Sequence, residues 1–196
     1  DRNDRKNLTR FQKLELERKS IDQFRSIVRY FASQGEIPSL SKDVIALMVL
    51  RHYGVPTRLL DWTLSPYIAT FFAVNGQDDE DGEIWSFDEP LYEQEGLKQW
   101  KQWPETTING NFLADLTAFR LEEPPDWIVF QFYSETIPRQ NAQNSAYSMT
   151  ARFGRDHAKK IADLLGSNSH YHRYIIKASL KQELLKKLRE EHGIWW

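Results

Sequence analysis

The stretch His52-Tyr53-Gly54-Val55-Pro56-Thr57-Arg58-Leu59-Leu60-Asp61-Trp62-Thr63-Leu64-Ser65-Pro66 gathers a hydroxyl, a guanidinium, a carboxylate and an indole among residues that restrict the backbone. Gly54 permits a positive φ, and Pro56 fixes the chain at the entry to Thr57. Polar side chains pinned in this way are what a binding or catalytic site requires. A helical turn over Thr57 to Trp62 would set Arg58 and Asp61 three apart on one face, able to pair, with Thr57 as a cap. The same residue types would serve architecture equally well, as an Arg58–Asp61 salt bridge buried under the Trp62 ring. At this level both readings stand.

Other chemistry is thinner. His170-Tyr171-His172 on a strand would put two imidazoles on one face, suited to a metal if a carboxylate joined them. No such partner is visible in the sequence, and surface histidines flanking a strand are the plainer reading. Ser145, Asp156 and His157 could supply a nucleophilic triad, yet no serine has the strand-turn-helix setting of a nucleophile elbow. The acidic run Asp78-Asp79-Glu80-Asp81 misses the spacing of a calcium loop and reads as a solvated turn. The absence of cysteine removes thiol catalysis, cysteine zinc sites and disulfides together. No metal is assigned.

A net charge of −2 over 196 residues conceals segregation: residues 1–29 carry about +4, residues 76–135 about −12 and residues 136–196 about +6. The basic C-terminal part, with Arg152, Arg155, Lys159, Lys160, Arg173, Lys177 and Lys181 near Tyr171 and Tyr174, could follow a phosphodiester backbone. Against this, Lys181, Glu183, Lys186, Lys187, Glu190 and Glu191 alternate in sign like a solvated helix face. The pair of helices joined at Gly54 to Pro56 is too apolar after the turn to be a DNA-reading element.

These groups must be carried by elements, and the length suits one domain. Apolar residues Leu14, Ile21, Phe24, Ile27, Val28 and Phe31 predict an amphipathic helix over residues 12–33. Ser41 caps a second helix that Gly54 and Pro56 stop. Ser65 and Pro66 open a third, apolar all round and therefore central to the core. Alternation predicts strands over residues 83–87 and 171–178, and Trp127 to Tyr133 reads as a strand interior to a sheet. Residues 90–126 carry no clear period. Ser179 is expected to cap a last helix ending at Gly193. Helices first and strands later, without regular alternation, give an α+β fold with N-terminal helices, a mixed or antiparallel sheet and a C-terminal helix. The charged opening lacks an apolar signal core, and Trp62 to Gln77, the longest uncharged stretch, is broken by polar residues. A soluble, cytoplasmic chain without membrane contact is expected.

The segment HYGVPTRLLDWTLSPYIATFFAV resembles the central signature of the FRG domain family, a group of bacterial and phage-associated domains. Asp81-Gly82-Glu83-Ile84-Trp85 is similar to the family's later acidic-Gly-x-x-Trp strand, and Arg139 and Gln143 to its later Arg and Gln. Arg51 stands where the family usually has Gln, Asn144-Ser145 replaces its Gln-Gly, and Tyr147 its Phe. The resemblance spans about residues 8 to 194 and implies a single FRG-type domain over 1–196. The family's first aromatic-Arg-Gly strand and its C-terminal tail are not matched, so a fragment or a divergent, compact member is expected. In order, the family's motifs are similar to the Arg-Ser-Glu class of ADP-ribosyltransferases. The resemblance therefore implies a nucleotide-using enzyme core acting in bacterial or phage conflict, with NAD as its hypothetical cofactor. On that reading Arg58 or Arg139 grips phosphate, Thr57 bonds the ribose, and Trp62 or Tyr147 stacks on a base. Asp61 or Gln143 supplies the acceptor, while His52 and Tyr53 belong to the same ligand-binding signature. The alternative is a non-catalytic module that binds nucleic acid or a protein.

Overall fold

A computed structural model of the chain describes residues 8–28, 30, 43–76, 79–99, 128–132, 142–150, 152–166 and 170–195. Within them lie α1 (Arg10–Val28), α2 (Asp43–His52), β1 (Leu59–Thr63), α3 (Pro66–Val74), β2 (Gly82–Phe87), α4 (Glu89–Gln99), β3 (Ile128–Phe132), β4 (Ser145–Thr150), α5 (His157–Leu165), β5 (Tyr171–Ile176) and α6 (Lys181–His192). The class is α+β, with two N-terminal helices, two small sheets and a C-terminal helix. The strand orders are β1-β4-β3 and β2-β5. Two compact units form: Asp1–Leu60 with Lys101–Gln131 and Tyr147–Arg155, and Asp61–Trp100 with Phe132–Ala146 and Asp156–Trp196.

In the first unit α1 packs on α2. The stripe Leu14, Glu17, Ile21, Phe24 and Val28, spaced by three and four residues, is the inward face, and Ile27 projects into solvent. Helix α2 is nearly all buried from Val44 to Leu50, and the part-buried Arg25–Asp43 ion pair (2.7 Å) joins its start to α1. Gly54, at φ 81°, turns the chain out of α2, and its amide donates to the Arg51 carbonyl.

In the second unit the Ser65 hydroxyl accepts the Ile68 amide and Pro66 opens α3, as their types require. Phe71 and Val74 of α3 meet Leu188 of α6, and Ile176, Leu184, Leu185 and Ile194 pack against them. Burying a side chain such as Phe71 or Leu188 stabilises by about 1.5–3 kcal/mol. Strand β2 lies so close to α3 that a β-carbon on Gly82 would sit 2.2 Å from the Ala73 carbonyl oxygen. β2 and β5 run antiparallel, Gly82 opposite Ile176 and Phe87 opposite Tyr171. Asp81 ties down the exit from β5: its carboxylate takes Lys177 Nζ at 2.7 Å and the Ala178 amide at 2.9 Å. Helix α4 packs on α5, whose cap is Asp156.

Several sequence expectations change. Thr57 to Trp62 is not a helical turn; Leu59 to Thr63 is strand, paired with β4. Helix α3 is not apolar inward all round, because Tyr67 and Phe72 lie about half exposed on its outer side. Among the described strands β4 is central and β3 is at the edge, so the apolar run of β3 does not make it interior. Ser179 is no helix cap: Ala178–Leu180 is a 3₁₀ turn whose first amide is bound by Asp81, and α6 starts after Leu180. Asp81 is thereby a specific anchor within the acidic turn. The described chain also contains α4, where the sequence showed no period. The Asp88 carboxylate accepts the Leu91 amide at 3.0 Å, a cap followed by Glu89 and Pro90 that was present to be read. Ser41 and Phe31 lie outside the described residues.

Candidate functional site

Arg58 is 6 % exposed, at the point where the chain leaves Thr57 for β1. Its Nε donates to Glu17 Oε2 at 2.6 Å and its Nη2 to Glu17 Oε1 at 2.8 Å, a two-pronged pair with both side chains buried. Nη1 points at the Thr150 carbonyl at 3.4 Å, and the guanidinium carbon stands 4.1 Å from the Phe153 ring centroid. Thr150 in turn fixes the segment that follows β4, since its hydroxyl donates to the Arg152 carbonyl (2.8 Å) and accepts the Arg152 amide (3.2 Å). Arg10, on the first turn of α1, belongs to the same group. Its burial, with the charges of Arg58 and Arg152, holds its pKa below the ordinary arginine value. Arg10, Arg58 and Arg152 thus form one group of like charges within the first unit, and Arg58 among them is held by Glu17 over the Phe153 ring.

Glu17 was the residue that sequence reasoning missed. A signal existed, because Glu17 interrupts an otherwise apolar stripe from Leu14 to Val28, and a carboxylate on an inward helix face requires a cationic partner. The Arg58–Asp61 pairing expected from a helical turn gives way to Arg58–Glu17. Arg58, just before the strand that forms instead, and Leu59, its first residue, are buried, while Leu60 and Asp61 are exposed.

The other sequence-derived positions separate by burial. Thr57 is half-buried and its hydroxyl accepts the Leu59 amide at 3.2 Å. His52 and Tyr53 meet edge to face at 5.3 Å, with Tyr53 74 % exposed. Tyr147 is buried in β4. In the second unit Asp61 is exposed, and the half-buried Trp62 packs edge-on to Phe87 at 4.9 Å. The Thr63 hydroxyl donates to the Gln143 carbonyl at 2.6 Å and accepts the Ser65 amide, while the Leu64 amide donates to the Asn144 carbonyl. Thr63 and Leu64 of the signature are therefore held to the backbone of Gln143 and Asn144. Arg139 lies outside the described residues.

The family model for the FRG domain matches residues 2–82, a span that holds Arg10, Glu17, Arg58 and the whole signature from His52 to Pro66. Over residues 2–82 the chain is similar to the FRG domain. The FRG match thus includes both partners of the buried ion pair, while Gln143, Tyr147 and Arg152 lie beyond it. No curated protein and no solved structure matches the chain.

Around the FRG match the remaining candidates are ordinary. His170 sits 3.5 Å from the Asp88 carboxylate, and His172 is exposed on β5. Burial lowers the pKa of His157, against the opposing charge of Asp156. Among the described residues no three His, Cys, Asp or Glu side chains are placed to hold a metal ion. No helix among them is long and apolar enough to cross a membrane.

Proposed function

We propose that this chain is a binding module for a phosphate-bearing ligand, a nucleotide or a nucleic-acid strand. The observation that carries the reading is the grouping of Arg10 with Arg58 and Arg152, whose charges act on it, while Glu17 and the Phe153 ring hold Arg58 in place. Clustered guanidiniums in a partly desolvated setting favour a multivalent anion, for which arginine offers paired donors. Arg58 itself acts as the fixed member, held by Glu17, while Arg152 is exposed and can meet a ligand.

The reading is tested by a thermal-shift scan of the chain against NAD, ATP, single-stranded RNA and duplex DNA, since a ligand that binds the folded state raises its midpoint. Stabilisation that Arg152→Ala removes, with affinity falling linearly in log salt, supports the proposal. No shift with any of the four sinks it.

A second reading is the ADP-ribosyltransferase-like one, in which the same arginines hold the NAD pyrophosphate. The bond that the Thr57 hydroxyl accepts from the Leu59 amide weighs against Thr57 as its reacting group. Nicotinamide release from NAD that Arg152→Ala abolishes would promote this reading over simple binding.

A further inference from the structure

Strand β5 has an open side. Among the described strands it pairs with β2 alone, and four successive residues, His172 to Ile175, are exposed, so both of its faces meet solvent. Tyr174 and Ile175 are 52 % and 51 % exposed, an apolar pair on a strand edge where proteins ordinarily place charge.

The backbone shows which groups are offered. The Asp88 amide donates to the His170 carbonyl at 2.9 Å, and these two residues extend the β2–β5 register by one step. Bonded pairs in an antiparallel ladder recur at every second residue. Ser86 with His172, Ile84 with Tyr174 and Gly82 with Ile176 are therefore the bonded pairs. The amides and carbonyls of Tyr171, Arg173 and Ile175 point away from β2, along the open edge.

We propose that this edge is a self-association surface, on which β5 of a second copy of this chain pairs antiparallel across a two-fold axis. Outward groups must meet outward groups, which leaves few registers. Centring on Arg173 sets the two guanidiniums against each other, and centring on Ile175 sets Arg173 against Lys177; like charges directly opposite are unfavourable. Centring on His172 leaves Ile175 opposite nothing in the partner strand. Centring on Tyr174 places the two Tyr174 rings side by side at a non-bonded position, where side chains approach closest. Arg173 then lies opposite Ile175, and His172 opposite Ile176. The Arg173 charge is already answered within its own copy by Glu83, whose carboxylate it grips from the neighbouring strand. The contact is isologous, closes on itself and joins two ribbons into one four-stranded sheet.

The test uses the full chain in sedimentation across a concentration series, with two kinds of variant. Wild type should pass from monomer to dimer as concentration rises. Ile175→Pro should remain monomeric with an unchanged circular dichroism spectrum, because the amide it removes points to the open edge and serves no bond to β2. Tyr174→Cys supplies the chain's single cysteine. At the two-fold its α-carbon lies about 4.5 Å from its mate, within disulfide reach, so mild oxidation should link the dimer. Arg173→Cys, two residues out of register with its own mate, should not link. Should Ile175→Pro misfold, the contrast between the two cysteine variants decides alone. A wild type that stays monomeric throughout, or equal linking by both cysteine variants, overturns the proposal.

Discussion

Arg58 and Glu17 stand 41 residues apart in the chain and share two hydrogen bonds, Nε to Oε2 at 2.6 Å and Nη2 to Oε1 at 2.8 Å, with both side chains buried. The pair fastens the inward face of α1 to the segment that opens β1. The most conspicuous arginine of the FRG signature is thus committed to a structural partner. Any ligand that used its full fork would first have to displace Glu17.

Arg58→Ala should leave the Glu17 carboxylate buried without its cation, which costs about 3–5 kcal/mol. Replacing both partners by apolar residues of similar volume, Arg58→Met with Glu17→Leu, should recover most of that loss. Urea unfolding of the two variants beside wild type measures it. An alanine variant as stable as wild type would show that the ion pair does not hold the fold.

Gly82→Ala should cost about 1–3 kcal/mol, because the added methyl would meet the Ala73 carbonyl oxygen and push β2 off α3. Backbone cannot rotate away as a side chain can. A depressed midpoint in thermal unfolding checks this, and the unchanged midpoint would mean that the strand can shift without loss.

Glu89 gives a pH dependence. Burial pushes its carboxyl up to about 7, helped by the charge of Glu93, a hydrogen bond to Glu93 and the charge of Asp88. Its unfolded value is near 4.5. Between these values the folded chain holds a proton that the unfolded chain releases, so the stabilisation present at low pH is lost as pH rises through about 7. Glu89→Gln should therefore raise the melting midpoint at about pH 8 and leave it nearly unchanged at about pH 4. A shift of the same size at both would assign the effect to something other than this titration.

Much of the fold was legible because its signals are local. Ser65 with Pro66 before α3 and Gly193 in left-handed conformation after α6 act within one helical turn. The strands read over residues 83–87 and 171–178 do pair, over Gly82 to Phe87 and Tyr171 to Ile176. Helix α4 was missed although Asp88 and Pro90 punctuate its start, because its apolar residues are too few to mark a period.

The sequence by itself determined the α+β class, the end of α2, the boundaries of α3, and the concentration of pinned polar residues between His52 and Pro66, since each follows from propensity, capping and periodicity over short stretches. Only the tertiary structure decided that Leu59 to Thr63 is a strand and that Arg58 answers Glu17 rather than Asp61. A strand exists only when another strand supplies its hydrogen bonds, here β4. A buried charge takes whichever opposite charge the folded chain brings within reach, and no spacing along the sequence fixes that choice.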